Sequence, residues 1–302
     1  MRGSEAKMLG NLAKRILSLP VAFVIAFTIS CKSHKKEAWE IAPLEDGRLE
    51  VVSLEESSGL KVDRIRFRSQ ELKNELRFCL VLLPKAEELP DRVLIVNHGW
   101  FDRPEYLLQY LHLDQVYAKL LREGSVKPAI LVLPDIRFNA SYRRNPPPFA
   151  QYLSLVAEEV LHNISRQYHV PRAQENWGIT GFSFGGYVSL DVGRRYSGRF
   201  GSVGVVSSFY DMDWLFWPSQ VPAEAKVDLK GRGKQTIIEH GPIPRIFLAC
   251  GDGDRYFKDM IRLHEKFQKL GISHVWSTGP GGHTWDYWSS VLEELLRFHL
   301  GN

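Results

Sequence analysis

The sequence predicts an α/β fold: a mostly parallel central sheet with antiparallel N-terminal strands and helices on both faces. Three observations lead to this prediction. Near the N-terminus, apolar and polar side chains alternate, as in strands that have one wet face. Further along, short runs are apolar throughout, which is typical of buried parallel strands. Segments with helical periodicity separate these runs, so strands and helices alternate along most of the chain.

The alternating segments define the antiparallel part of the sheet. They cover residues 48–54, 62–67 and 76–84, and the last becomes fully apolar towards its end. Because alternation leaves one face of each strand exposed to water, we expect these strands at an edge of the sheet.

The apolar runs that follow define the parallel strands. They cover residues 93–97, 129–133, 177–180, 203–206, 246–250 and 274–276. Helices are predicted over residues 106–122, 152–168 and 187–195, from residue 257 to Gly271, and over 288–299. No internal repeat and no second domain is visible, so residues 37–302 are expected to form a single domain.

Composition narrows the class of protein. At 302 residues, with 44% hydrophobic and 25% charged residues, the chain can bury a large core as one soluble α/β domain. The net charge of +4 is weak, and no basic stripe runs through the folded part, so no nucleic-acid partner is expected. Cys79 and Cys250 lie in strand-like runs, where free cysteine usually behaves as a small buried hydrophobe.

The first 36 residues are expected to lie outside the fold, as a signal, lipoprotein-type or anchor segment. Basic residues precede an apolar run at 16–29, which matches a signal-peptide core and is short for a bilayer span. Cys31 follows a small residue at its end and resembles the lipobox of bacterial lipoproteins, which implies cleavage before Cys31 and lipid attachment. An uncleaved N-terminal anchor and a plain secretory signal remain open. All three predict export, and the first two predict membrane attachment through the N-terminus.

The segment Gly181-Phe182-Ser183-Phe184-Gly185 lies between a predicted strand and a predicted helix. A serine on a sharp strand-to-helix turn needs small neighbours, which Gly181 and Gly185 provide. The pattern is that of the nucleophile elbow of α/β-hydrolases, in which the helix N-terminus favours an anionic intermediate. Five-residue patterns of this kind also occur by chance as glycine-rich turns, so the rest of the chain must decide.

An α/β-hydrolase places an acid and then a histidine after its serine. The strand at 246–250 is followed by Asp252 and Asp254, and the strand at 274–276 is followed by His283. His283 can accept the proton of Ser183, and a carboxylate can orient the imidazole ring. Asp254 is favoured because it lies a few residues beyond the strand end, whereas Asp252 is expected to hydrogen-bond the turn. A solvated turn or weak calcium loop is the competing interpretation of this Asp-Gly-Asp segment.

His98, Gly99 and Trp100 follow the strand at 93–97. In this architecture an N–H of that loop and the N–H after the nucleophile form the oxyanion hole, here those of Trp100 and Phe184. A plain β–α turn is the alternative.

With these motifs placed, the chain resembles the esterase D/putative esterase family of α/β-hydrolases. That family includes feruloyl esterases, S-formylglutathione hydrolases, enterochelin esterases and antigen 85-like transferases. The most specific motif is Gly281-Gly282-His283 followed by Trp285 and Trp288, and the resemblance extends over residues 62–299. It implies ester hydrolysis by a Ser-His-Asp triad and supports Asp254 over Asp252. Neither a cofactor nor a metal ion is implied.

Aromatic residues near these motifs are candidates for substrate binding, above all Trp217 and Trp285. The wider set also contains Trp100, Phe101, Trp214, Phe216 and Trp288. Aromatic faces suit sugar rings, aromatic acyl groups or acyl chains. Packing of the last helix is the alternative for Trp285 and Trp288. Residues 208–242 have little periodicity and are predicted to form a partial cap, while Arg137, Arg143 and Arg144 are expected to form a solvated rim.

Three functions follow from this pattern. The leading one is a serine esterase that acts on small-molecule, carbohydrate-linked or aromatic acyl esters through an acyl-enzyme. An acyltransferase would use the same residues and differ only in the acceptor. A non-catalytic cell-envelope binding protein is the third, and the presence of Ser183, Asp254 and His283 argues against it. The sequence does not set an oligomeric state.

Overall fold

A computed structural model describes residues 49–54, 56–85, 89–137, 149–210 and 241–301. Within these ranges, nine strands form one sheet in the order β1-β2-β3-β5-β4-β6-β7-β8-β9. The strands are β1 Glu50–Ser53, β2 Lys61–Ser69, β3 Glu75–Leu83, β4 Val93–Asn97, β5 Ile130–Pro134, β6 Trp177–Phe182, β7 Ser202–Val206, β8 Arg245–Gly251 and β9 Val275–Gly279.

Strand direction divides the sheet as the sequence predicts. β1 pairs with β2, β2 with β3 and β3 with β5 in antiparallel fashion. All pairings from β5 through β4, β6, β7 and β8 to β9 are parallel. The predicted fold class is confirmed. Because parallel strands place their carboxyl ends at one edge, the loops after β4, β6, β8 and β9 meet there.

Helices flank this sheet. They are α1 Pro104–Gln109, α2 Leu113–Arg122, α3, α4 Phe184–Arg195, α5 Phe257–Lys269 and α6 Trp285–Leu300. Helix α3 consists of three consecutive segments, Phe149–Ser154, the π-helical Leu155–Val160 and Leu161–Tyr168.

The prediction of one helix over residues 106–122 is wrong, because the chain breaks into α1 and α2. His112 has a left-handed backbone with φ 52°, which ends the helical path. Leu111 and Leu113 are both fully buried. Side chains two positions apart in a continuous helix point to nearly opposite sides, so the break lets both leucines reach the core.

The two faces of the sheet carry different helices, as β7 illustrates. On one face, Val203 packs under Gly193 of α4. On the other face, Gly204 lies under the side chains of His299 and Leu295 from α6. Helices α1 and α2 share that second core with α6. The described residues form one compact unit.

His299 is buried at the C-terminal end of α6. Its Nδ1 is 2.8 Å from the Ser202 hydroxyl. A β-carbon at Gly204 would lie within 2.6 Å of Nε2, and one at Gly178 within 3.1 Å of Nδ1. The two strand glycines thus make the space for the ring. Burial, together with the charge of Arg245, lowers the pKa of His299 from 6.5 to about 3.

Several predictions concern residues outside the described ranges. These are the N-terminal segment 1–36, the linker that follows it, most of the predicted cap at 208–242, Trp214, Phe216, Trp217, Arg143 and Arg144. In the part of the chain that is described, no helix combines the length and apolar character needed to cross a bilayer. Cys79 and Cys250 are buried free thiols, as predicted.

Candidate active site

The serine of the predicted elbow lies at the junction of β6 and α4. Strand β6 ends at Phe182 and α4 begins at Phe184, so Ser183 alone makes the turn, with φ 55° and ψ −118°. Its N–H donates to the Val206 carbonyl at 2.8 Å, and its carbonyl accepts from the Gly186 N–H at 3.0 Å. A positive φ is costly for a residue with a side chain and is typical of functional turns.

The two motif glycines are required by close backbone approaches. A β-carbon at Gly181 would lie closer than 3.0 Å to the Gly185 backbone, and one at Gly185 closer than 3.0 Å to the Asn97 carbonyl. Real β-carbons essentially never approach backbone atoms so closely. The glycine spacing therefore reflects the packing of β4, β6 and α4 around the serine.

Ser183, His283 and Asp254 form one hydrogen-bonded chain. His283 Nε2 is 3.0 Å from Ser183 Oγ. His283 Nδ1 lies 3.0 Å from Asp254 Oδ2 and 3.1 Å from Oδ1. Because a carboxylate only accepts, Nδ1 carries the proton, and Nε2 is left to accept from the Ser183 hydroxyl. A serine deprotonated by this histidine would be a nucleophile.

Asp254, rather than Asp252, contacts the histidine. Burial alone would raise the pKa of Asp254, but His283, the Tyr256 N–H and the Ser207 hydroxyl together lower it. The Tyr256 N–H donates to Oδ1 at 2.8 Å. Asp252 is exposed, and its backbone N–H donates to the Gly279 carbonyl at 2.9 Å. Asp254 thus remains ionised beside the imidazole.

Ser207 is a neighbour of the acid that sequence reasoning missed. It follows β7 directly, is fully buried and has φ 52°. Its hydroxyl lies close enough to Asp254 to lower the pKa of that carboxyl. A serine after an apolar strand gives no signal of this proximity in the sequence.

The acid loop and the histidine loop are joined directly. The Gly253 N–H donates to the Gly281 carbonyl at 2.9 Å. A β-carbon on Gly251 would lie closer than 3.0 Å to the same carbonyl. Glycines in both motifs therefore bring Asp254 and His283 within hydrogen-bond distance.

Aromatic rings fix the orientation of the His283 ring. Tyr256 and Trp288 each approach it edge-on, with centroids 5.1 Å away. Trp288 belongs to the hydrophobic core beside α6, as the packing alternative for this residue states. The Phe209 ring lies 5.1 Å from that of Tyr256 and in turn stacks on Tyr187 of α4. The edge-on contacts of Tyr256 and Trp288 thus hold the imidazole in place beside Ser183.

The predicted oxyanion-hole residues lie next to each other. The rings of Trp100 and Phe184 are 4.5 Å apart in an edge-on contact. Phe184 is the first residue of α4, so its N–H points out of the helix N-terminus. The Trp100 loop is held from behind by His98, whose Nδ1 donates to the Gly99 carbonyl at 2.7 Å while Nε2 accepts from the Ile136 N–H at 3.1 Å.

The substrate-binding candidate Trp285 lies at the start of α6 and is partly buried. Its ring contacts Trp288 at 4.9 Å and Tyr110 at 5.6 Å. Tyr110, which sequence reasoning missed, is 43% exposed and also contacts Tyr106. These residues form an aromatic rim on the α1 side of the site.

Asp102 is a second functional candidate that the sequence did not reveal. A β-carbon on Gly99 would lie closer than 3.0 Å to Asp102 Oδ2 and 3.8 Å from Ser183 Cβ. Burial raises the pKa of Asp102, and this effect outweighs the opposing influence of His98, the Gly99 N–H and His283. A titratable carboxyl group thus lies beside the serine without belonging to the hydrogen-bonded chain.

Among the described residues, no group of three or more histidine, cysteine, aspartate or glutamate side chains is placed so that it could hold a metal ion.

Sequence comparison now assigns the family. Residues 69–299 match the family described as "Putative esterase". The chain belongs to this esterase family. It is therefore a carboxylic ester hydrolase, as the resemblance implied. An acetyl esterase from Caldicellulosiruptor saccharolyticus is 22% identical over 214 residues, which cover 62% of this chain and 78% of the relative.

Solved structures of other esterases share the fold. A ferulic acid esterase from Anaeromyces mucronatus has a TM-score of 0.61 at 20% identity, covering 83% of this chain and 99% of its own. An S-formylglutathione hydrolase from Agrobacterium tumefaciens has a TM-score of 0.62 at 17% identity, covering 82% and 98%. At such identities the likeness establishes the α/β-hydrolase fold and leaves the substrate open.

Proposed function

We propose that this member of the esterase family is a serine esterase that works through an acyl-enzyme on Ser183. The observation that supports the proposal is the continuous hydrogen-bonded chain from Ser183 Oγ through His283 to Asp254, with links of 3.0 Å. Nucleophile, base and orienting carboxylate are within the distances that this chemistry needs.

In the acylation step, Ser183 Oγ attacks the ester carbonyl carbon and its proton passes to His283 Nε2. Asp254 stabilises the imidazolium that forms. The carbonyl oxygen becomes an oxyanion, which the backbone N–H groups of Trp100 and Phe184 bind in this proposal. When the intermediate collapses, the C–O bond to the alcohol breaks, and His283 returns its proton to the departing alkoxide.

Deacylation repeats the same steps with water. His283 takes a proton from the water molecule as its oxygen attacks the acyl carbon, and it then protonates Ser183 Oγ as the acid departs. An alcohol in place of water would give acyl transfer. Product analysis with and without a sugar alcohol separates the two reactions, and we expect the free acid in both cases.

For the substrate, we propose carbohydrate-linked or aromatic acyl esters. The rim of Tyr106, Tyr110 and Trp285 offers ring faces at the site, and Trp217, outside the described residues, is the further candidate. Relatives named for acetyl and ferulic acid esters are consistent with this class. A series of acyl lengths and sugar esters tests it, and a preference for simple long-chain alkyl esters would contradict it.

Labelling with a fluorophosphonate probe tests the proposed nucleophile. We expect the wild type to be labelled and Ser183→Ala not to be. Ser290→Ala, which removes an exposed hydroxyl on α6, is the matched control and should be labelled like the wild type. Equal labelling of Ser183→Ala and wild type would refute the assignment.

We also propose export, on the basis of residues 1–36 alone. The basic start, the apolar run and Cys31 support a lipoprotein-type signal. Mass spectrometry of the mature N-terminus tests this proposal: lipidated Cys31 is the expected result, and an unlipidated Met1 in a soluble fraction would contradict export.

A further inference from the structure

Asp102 lies in the loop between β4 and α1, two residues before Pro104. Its position is defined by Gly99, which has no side chain. A methyl group on Gly99 would contact both Asp102 Oδ2 and, at 3.8 Å, Ser183 Cβ. The Asp102 carboxylate and the proposed nucleophile therefore lie on either side of the space that Gly99 leaves open.

This carboxylate has no permanent counter-cation within the described chain. Among these residues, no lysine or arginine lies within ion-pair distance of it. Asp135, which is also near His98, differs: Arg137 Nε lies 2.8 Å from its Oδ1. The neighbouring Arg103 instead lies over the Tyr106 ring at 5.3 Å. A partly buried carboxylate that no described lysine or arginine pairs gains more than an exposed one from a ligand that brings a donor or a positive charge.

The chemical step gives no reason for a carboxylate here. Asp254 already orients His283, and the charge that develops on the reacting carbonyl is negative, so a second anion nearby opposes it. An ionised Asp102 also stabilises the His283 imidazolium, but it does so equally for every ester. Of the effects that a carboxylate could have here, selection among substrates is the one that depends on which ester is bound.

We propose that Asp102 is an anionic recognition subsite that selects esters carrying a cationic group or hydroxyl donors near the reacting carbonyl. The inference rests on the proposed function, because it requires Ser183 as the nucleophile. The flanking Trp100 and Phe101, the latter 82% exposed, add ring faces that suit either an ammonium group or a sugar. Carboxylate and ring faces together provide charge and shape selection.

Matched ester pairs test the subsite. Acetylcholine and 3,3-dimethylbutyl acetate have nearly the same shape and differ in one positive charge, while glycerol monoacetate and propyl acetate differ in two hydroxyl groups. For each pair we measure the ratio of kcat/KM values in the wild type, Asp102→Asn and Asp102→Ala. We expect the ratio of kcat/KM for the charged or hydroxylated ester to that for its neutral partner to fall about tenfold or more in Asp102→Ala.

The two Asp102 variants distinguish recognition of a cationic group from recognition of hydroxyl groups on the substrate. If the substrate brings a cation, Asp102→Asn loses the preference as fully as Asp102→Ala. If it brings hydroxyl groups, Asn retains part of the preference through its amide oxygen. Asp91→Asn is the control, because it removes one exposed negative charge just before β4, at the opposite edge of the sheet. It should leave both ratios unchanged.

Failure of the proposed function and failure of the subsite proposal give different results. Absence of ester turnover and of fluorophosphonate labelling in the wild type would overturn the proposed function and this inference with it. Normal turnover of the neutral esters with unchanged ratios in both Asp102 variants would overturn the subsite alone. A fall that is equal for all four esters would indicate an effect on His283 or on the loop and would also overturn it.

Discussion

Acidification is expected to destabilise this protein through His299, which is buried between α6 and the sheet. The ring occupies the space above Gly178 and Gly204, and its Nδ1 contacts the Ser202 hydroxyl. Water cannot solvate an imidazolium at this position, and Arg245 adds repulsion. The His299 ring therefore stays neutral in the native state, whereas in the unfolded chain it takes up a proton at its ordinary pKa.

The magnitude follows from the two pKa values. In the folded state the pKa of His299 is about 3, against 6.5 for the free side chain. Since the folded value is the lower one, the stabilisation is fully present above pH 6.5 and is lost as the pH falls towards 3. The loss is about 1.4 kcal/mol per pH unit, so it reaches about 2 kcal/mol at pH 5 and about 4 kcal/mol at pH 3, where the folded ring is itself half protonated.

Urea denaturation at pH 7.5 and pH 5.0 measures this loss. Other groups also titrate between these values, so the comparison is with His299→Asn, whose amide can still meet Ser202 but does not titrate. His162→Asn, which replaces an exposed histidine, is the control. The wild type and the control should lose about 2 kcal/mol more free energy of unfolding than His299→Asn.

Parallel pH dependence in the wild type and His299→Asn would refute the reasoning. It would mean that the ring can take up a proton in the folded state, through a local rearrangement of α6 or the entry of water. A lower stability of His299→Asn at both pH values would not by itself bear on the argument, because only the difference in slope does.

Three other predictions concern the site. Asp254→Asn should lower kcat about 10⁴-fold because the wrong tautomer of His283 then faces the serine, while Asp252→Asn should change steady-state kinetics little. Gly185→Ala should lower the free energy of unfolding, measured by urea titration, by about 3 kcal/mol or more, because its β-carbon would overlap the carbonyl at the end of β4. Trp285→Ala should raise KM for an aromatic acyl ester about tenfold with kcat nearly unchanged.

Each of these predictions has a control in the same chain. Gly279→Ala places a methyl group where no atom lies within 4 Å, and it should leave the free energy of unfolding nearly unchanged. Trp276→Ala removes a tryptophan that stacks on His264, away from the serine, and should leave KM unchanged. A greater loss in Asp252→Asn than in Asp254→Asn would reverse the assignment of the acid.

The fold and the central hydrogen-bonded chain could be predicted because their signals are local. Gly181 and Gly185 are required by backbone contacts on either side of the serine, so their spacing appears in the sequence. Asp254 and His283 each follow a strand end at a fixed short distance. Parallel strand direction then brings those ends to one edge of the sheet. The order of the motifs along the chain is therefore enough to predict that Asp254 and His283 lie close together.

The features that could not be predicted depend on contacts between residues whose proximity leaves no pattern in the sequence. Asp102 belongs to no motif, and its position next to Ser183 results from the fold of one loop around Gly99. Tyr110 reaches Trp285 only because the chain turns at His112, where an apolar pattern suggested a continuous helix. Helix α6 begins at residue 285 rather than 288, which places Trp285 at the rim and buries Trp288 in the core.

The three partners of the hydrogen-bonded chain come from the ends of β6, β8 and β9, and Ser183 and His283 are 100 residues apart. A slip of one strand by one residue would move its end by about 3.3 Å and break the chain. Contacts between such distant segments also form late during folding. Recovery of fluorophosphonate labelling after dilution from denaturant should therefore lag behind recovery of helical signal, and would count only molecules in which β6, β8 and β9 have reached their native register.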